Sequence, residues 1–224
     1  MTYSICVRER VEGERDTPRY RFGVAAAARL PAVGSVCPHA GDHGAVATAG
    51  LTDPGVGERC LAALAAGDPI DAALADATAD GAGRQIHGVD AASTAAHTGA
   101  DCRPVAAHRT ADAYTAGGTS LTDEATLEAM VRGYRENERD APLVRRLLTA
   151  LAAGERAGGD RREELPVGSA AVVVSTPDGG EPLYHDLRVD ASDSPVADLR
   201  ETYRRARRGY EAALERYDPQ TENS

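Results

Sequence analysis

A small hydroxyl residue stands directly behind the initiator methionine, in the opening string Met1-Thr2-Tyr3-Ser4-Ile5-Cys6-Val7. Thr2 is small enough to permit methionine removal, which leaves one residue carrying both a hydroxyl nucleophile and a free α-amine. An α-amine titrates at roughly 7.7–8.0, so it can take the hydroxyl proton near neutral pH without a histidine. In an extended strand, Thr2, Ser4 and Cys6 share one face and Tyr3, Ile5 and Val7 the other. If the Thr2 face borders a site, Ser4 joins it, while Cys6 packs as a small apolar residue.

Two histidines are the next candidates. The string His97-Thr98-Gly99 ends an expected strand at a glycine turn, and His108-Arg109 is expected in a loop able to fold over it. Either imidazole can serve as acid, base or hydrogen-bond donor near neutral pH. Asp160, after Gly158-Gly159, would orient an ammonium or an arginine. Arg109 and Arg161 are candidates for holding a substrate carboxylate with both arms of the guanidinium. All 25 basic residues are arginine. With no lysine, proton transfer must rely on the α-amine, a histidine or a carboxylate.

A different chemistry is offered by Cys37-Pro38-His39-Ala40-Gly41-Asp42-His43, which brings a thiol, two imidazoles and a carboxylate into seven residues. These are ligand types for zinc or another first-row divalent ion. The proline and glycine argue against a regular helix to align them, so no metal or other cofactor is expected and a metal-assisted hydrolase is the lesser alternative.

Composition narrows the partners. Asp and Glu total 35, giving a net charge of -10, which excludes a nucleic-acid binder relying on clustered positive charge. The arginines at 204, 205, 207 and 208 alternate with Glu201, Glu211 and Glu215 at helical spacing, the pattern of a salt-bridged helix face. Such an acidic, lysine-free surface suits a salt-rich cytoplasm, where screening shortens charge repulsion. No apolar run approaches the ~18 residues of a membrane span, and no basic segment leads into an apolar one at the start. The four cysteines lack any CxxC spacing, so reduced thiols and a cytoplasmic location are expected. A small-molecule substrate or ligand is the expected partner, with no membrane, and an alanine-rich helix face suits symmetric assembly into a homo-oligomer.

The elements that must position these groups follow from period and punctuation. Strands are expected at 2–7 and 19–27 as a hairpin around a charged turn, then at 44–48, with 32–38 as a small-residue loop or short strand. Asp53-Pro54 and Asp68-Pro69 each signal a helix start, giving helices over 53–66 and 70–80. Paired strands are expected at 85–89 and 93–97, an extended piece near 113–115, and helices over 122–137 and 141–153. A second hairpin joins 169–175 to 184–189, and a final helix runs from 194 to 217. The chain reads as a single α+β domain over 1–217 with a polar tail at 218–224.

Taken in order, several strings are similar to those of one family: Thr2-Tyr3-Ser4-Ile5, Phe22-Gly23-Val24-Ala25, Ala32-Val33-Gly34-Ser35-Val36, Gly44-Ala45-Val46-Ala47-Thr48, Ala96-His97-Thr98-Gly99, His108-Arg109-Thr110, Ala157-Gly158-Gly159-Asp160-Arg161-Arg162 and Asp186-Leu187-Arg188-Val189-Asp190. Over about residues 2–200 the chain resembles the DUF1028 family, which is Ntn-hydrolase-like. The resemblance implies a four-layer αββα sandwich with the N-terminal residue on a central strand, and hydrolysis of a small amide or related C–N bond with Thr2 as nucleophile. It also implies substrate contacts at Ser35 and Thr119. Thr119 stands where relatives carry an asparagine, and Glu163-Glu164-Leu165-Pro166 departs from a glycine- and glutamine-containing string. These departures make a non-catalytic ligand-binding protein on the same fold the alternative expectation.

Overall fold

The computed structural model describes residues 2–11, 18–50, 53, 55–79, 81–136, 140–177 and 182–217. The first strand, β1 (Tyr3–Val11), pairs antiparallel with β2 (Arg19–Ala28) from Tyr3 opposite Ala27 to Val11 opposite Arg19. Glu9 and Arg10, expected in the turn, therefore extend the strand. A single 3-10 turn over Val33–Ser35 replaces the expected loop or strand, and β3 (Pro38–Gly41) and β4 (Gly44–Gly50) follow.

Helices α1 (Gly55–Ala66) and α2 (Ile70–Thr78) come next. Asp53 caps the first of them, its Oδ1 accepting the Gly55 N–H at 3.0 Å, and Gly67 ends it at φ +98°. The chain then returns to sheet in β5 (Arg84–Asp90), β6 (Thr94–Thr98), β7 (Ala107–Ala111) and β8 (Tyr114–Gly118). Strand β7 corrects the expectation that His108 and Arg109 lie in a loop. Helices α3 (Ala125–Arg135) and α4 (Leu143–Arg156), strands β9 (Gly168–Ser175) and β10 (Asp186–Ser192), and α5 (Pro195–Tyr217) complete the chain. The tail at 218–224 lies outside the described residues.

Two sheets result, in the orders β10-β9-β2-β1-β8-β7 and β3-β4-β5-β6. Period-2 alternation decides what each face meets. On β1, Tyr3, Ile5 and Val7 join Leu127, Met130, Leu147, Leu151 and Leu199 of α3, α4 and α5 in one core. Its opposite face sends Cys6 into a second core with Phe22, Val24, Ala26, Cys37, Ala45, Ala47 and Val89, between the sheets. A third core joins Val46 and Ile86 to Cys60, Leu64, Ile70 and Leu74 of α1 and α2. The layers are thus helix, sheet, sheet, helix, the αββα order expected for this α+β chain.

Small side chains let the sheets approach. The run Ala25–Ala28 places alanine on both faces of β2 and all four residues are buried. Strand β1 is central, with β2 on one side and β8 on the other. Its start is therefore held on both flanks, as a reacting group needs.

Candidate functional site

The inter-sheet layer is apolar along most of its length and polar at the end where β1 begins. Thr2, Ser4, Gln85, His87, Thr115 and Thr119 are all buried there. A dry layer accepts polar groups only when they are hydrogen-bonded or when they serve a ligand.

Ser4 is held across the sheets by His87 of β5, with Oγ and Nε2 2.9 Å apart. On the other side of the ring, Nδ1 lies 2.8 Å from Thr115 Oγ1. The Thr115 hydroxyl also lies against the Cys6 sulfur, and the Cys6 thiol donates to the His87 carbonyl at 3.7 Å. The ring thus bridges the Ser4 and Thr115 hydroxyls, and the Ser4 hydroxyl also lies 3.5 Å from Gly117 O.

Burial drives the His87 pKa down to about 3, with the imidazole of His108 a smaller contributor. A buried imidazolium with only neutral hydroxyls around it has nothing to offset its lost hydration. His87 is therefore a fixed, neutral hydrogen-bonding group and a poor proton acceptor at neutral pH. This sets an expected acid response. Because the folded pKa lies below that of the unfolded chain, the stability His87 contributes is complete above pH ~6.5 and lost as pH falls toward about 3. The span corresponds to on the order of 5 kcal/mol. Urea unfolding of wild type and His87→Gln between pH 7 and 4 checks it: the wild type should lose stability more steeply, by up to one proton.

Gln85, two residues before His87 and on the same face, ties the sheets together. Its Nε2 donates to Thr98 Oγ1 at 2.8 Å, to Ala107 O at 2.9 Å and to Gly118 O at 3.1 Å. Thr98 Oγ1 in turn lies 2.9 Å from His108 Nδ1, and His108 is exposed. The polar chain thus runs from the site to solvent. Gln85 Oε1 and Thr119 Oγ1 are buried without a hydrogen-bond partner. Thr119 faces Thr2 across the β1–β8 ladder and donates its backbone N–H to the Thr2 carbonyl at 3.0 Å. Ser120, next along, is a non-glycine residue at φ 54°, a sparsely populated conformation.

Of the residues expected from sequence, Thr2, Ser4, Thr119 and, at the mouth, His108 gather here. The others lie elsewhere. His97 pairs with Ile86, whose side chain packs under α1 and α2, so it faces away from His87 and is exposed. Arg109 pairs with Ala116 on the helix-facing side and binds Glu124 at 2.6 Å. Ser35 is exposed, its hydroxyl donating to Ala32 O. Asp160 accepts from Arg162 and from the backbone N–H of Arg29 at 2.9 Å. It bridges to Leu121, and the neighbouring Arg161 is exposed with its N–H on Ser120 O. Asp160 and Arg161 therefore brace the Thr119–Ser120 segment from outside.

The cysteine–histidine string disperses. Cys37 lies in the inter-sheet core, His39 packs on Gly57 of α1, and His43 is exposed. Burial pushes the Cys37 thiol up to about 11, away from the thiolate a metal needs. Among the described residues no group of three His, Cys, Asp or Glu is placed to hold a metal ion. On α5, Glu201 binds Arg204 and Arg205, and Arg207 binds Glu211, as the spacing predicts. Among the described residues no helix is long and apolar enough to cross a membrane.

Gln85, His87 and Thr115 were not singled out by sequence reasoning. The available signal was polar residues at 85 and 87 sharing a face with Val89 in a buried strand.

A model of a family of unknown function, DUF1028, matches residues 2–199. Among solved structures, the chain is similar to protein SPO2555 from Silicibacter pomeroyi, a DUF1028 protein, at 30% identity and TM-score 0.76. That match covers 92% of this chain and 88% of the other. No curated protein matches the chain. The chain belongs to the DUF1028 family.

Proposed function

We propose that this protein is an N-terminal-nucleophile hydrolase of a small amide or related C–N bond, with Thr2 as nucleophile after Met1 is removed. The observation that carries it is the clustering of buried polar groups at the start of the central strand, beside Thr2, in a layer that is otherwise apolar. The Thr2 hydroxyl attacks the carbonyl carbon while its own α-amine takes the proton. That proton passes to the departing nitrogen, leaving an ester on Thr2, which water then hydrolyses. With its pKa near 3, His87 is a weak base for this purpose, which favours the α-amine. His87 instead fixes Ser4, which lies about 7 Å along the strand on the same face, within reach of the reacting carbonyl.

The test compares Thr2→Ala and Thr2→Ser on a panel of small primary and secondary amides. Thr2→Ala should lower hydrolysis at least about 10³-fold while Thr2→Ser retains measurable turnover. Equal activity in Thr2→Ala and wild type would rule out Thr2. The unpaired Gln85 and Thr119 atoms also favour a second reading, a ligand-binding protein on the same fold, which binding without turnover in wild type would select.

A further inference from the structure

Two polar atoms in the site find no hydrogen-bond partner within the protein. Gln85 is 1% exposed and Thr119 0%, and neither Gln85 Oε1 nor Thr119 Oγ1 has a hydrogen-bond partner. Native interiors rarely tolerate such atoms, since each forfeits its hydration without return. The amide orientation of Gln85 is fixed, because Nε2 faces two backbone carbonyls, Ala107 O and Gly118 O, and only an N–H donor belongs there. Oε1 is therefore an acceptor by necessity. It lies toward Gly117, where an added Cβ would stand 3.3 Å from it. Thr119 follows Gly118 and donates its backbone N–H to Thr2 O, and its Oγ1 carries a hydroxyl proton free to donate. An acceptor toward Gly117 and a donor on the residue after Gly118, opposite Thr2, match the two ends of a carboxamide: its N–H and its C=O.

We propose that Gln85 Oε1 and Thr119 Oγ1 form a subsite that reads a carboxamide bearing a free N–H, so that the substrate is a small primary or monosubstituted amide. This rests on the placement of the reactive site at Thr2. An N,N-dialkyl amide or an ester leaves Gln85 Oε1 buried and unpaired, and discrimination of at least about tenfold follows.

The test uses the full chain labelled with 15N and three probes: acetamide, N,N-dimethylacetamide and acetate. Acetamide should shift the Gln85 side-chain NH₂ pair and the Thr119 amide, with N,N-dimethylacetamide and acetate at least about tenfold weaker. Thr119→Val removes the hydroxyl at nearly constant shape. It should weaken acetamide at least about tenfold while leaving the urea midpoint unchanged or raised, because no existing hydrogen bond is lost. Equal binding of the two amides, or shifts confined to other residues, would overturn the proposal. So would a lowered midpoint in Thr119→Val, since the hydroxyl would then have a structural partner. The two readings fail separately. Amide discrimination without any turnover leaves the subsite standing and removes the hydrolase, and turnover dependent on Thr2 with no discrimination does the reverse.

Discussion

Replacing Gly117 by alanine should disable the site and destabilise the fold together. A Cβ at this position would stand 2.6 Å from His87 Cδ2 and 2.9 Å from His87 Nε2. The ring cannot step aside, because both nitrogens are engaged, with Ser4 and Thr115. Overpacking of this kind costs about 1–3 kcal/mol, and losing the Ser4 contact adds a buried unpaired group at a further ~1–3 kcal/mol. The sum, roughly 2–6 kcal/mol, is a large share of the 5–15 kcal/mol typical of a domain. Urea unfolding with the ring resonances of His87 as a second probe checks this. A Gly117→Ala protein of wild-type stability with an undisturbed His87 would show that the contact gives way.

Asp160→Ala is expected to cost a similar amount by another route. The carboxylate accepts from Arg162 Nε at 2.8 Å and from the backbone N–H of Arg29 at 2.9 Å. Arg162 is only 7% exposed, so removing Asp160 takes an ionic partner from a buried guanidinium. Breaking one side of a buried pair costs about 3–5 kcal/mol, more than the pair itself contributes. Asp160→Asn, which keeps an acceptor for Arg29, should fall between the two. The effect should reach the site, because Asp160 bridges to Leu121 and Arg161 N–H holds Ser120 O. A thermal or urea midpoint for each variant, read with the Thr119 amide shift, separates this bracing role from simple surface pairing. Wild-type midpoints in Asp160→Ala would contradict it.

Local pattern made much of the fold legible. Alternation along 2–7 assigned both faces of β1 correctly, and aspartate and glycine punctuation marked α1. The αββα layering came from the family resemblance rather than from periodicity. The site was only half legible, for a physical reason: which of two histidines enters it depends on strand register. His87 and His97 lie on neighbouring strands, but His97 sits opposite Ile86, one residue out of phase, and one residue of phase puts a side chain on the other face. Arg109 was misplaced for the same reason, being one residue past His108 in β7. Contacts such as that of Asp160 with Arg29 span 131 residues and leave no trace in local spacing.

Whether Thr2 is the nucleophile is read from the intact mass of the protein purified from its native host, before and after treatment with a β-lactone electrophile, followed by peptide mapping. The expected result is a chain lacking Met1 that gains one acyl adduct on Thr2 and none in Thr2→Ala. A chain that keeps Met1, or an adduct on Ser4 with Thr2 unmodified, would contradict it.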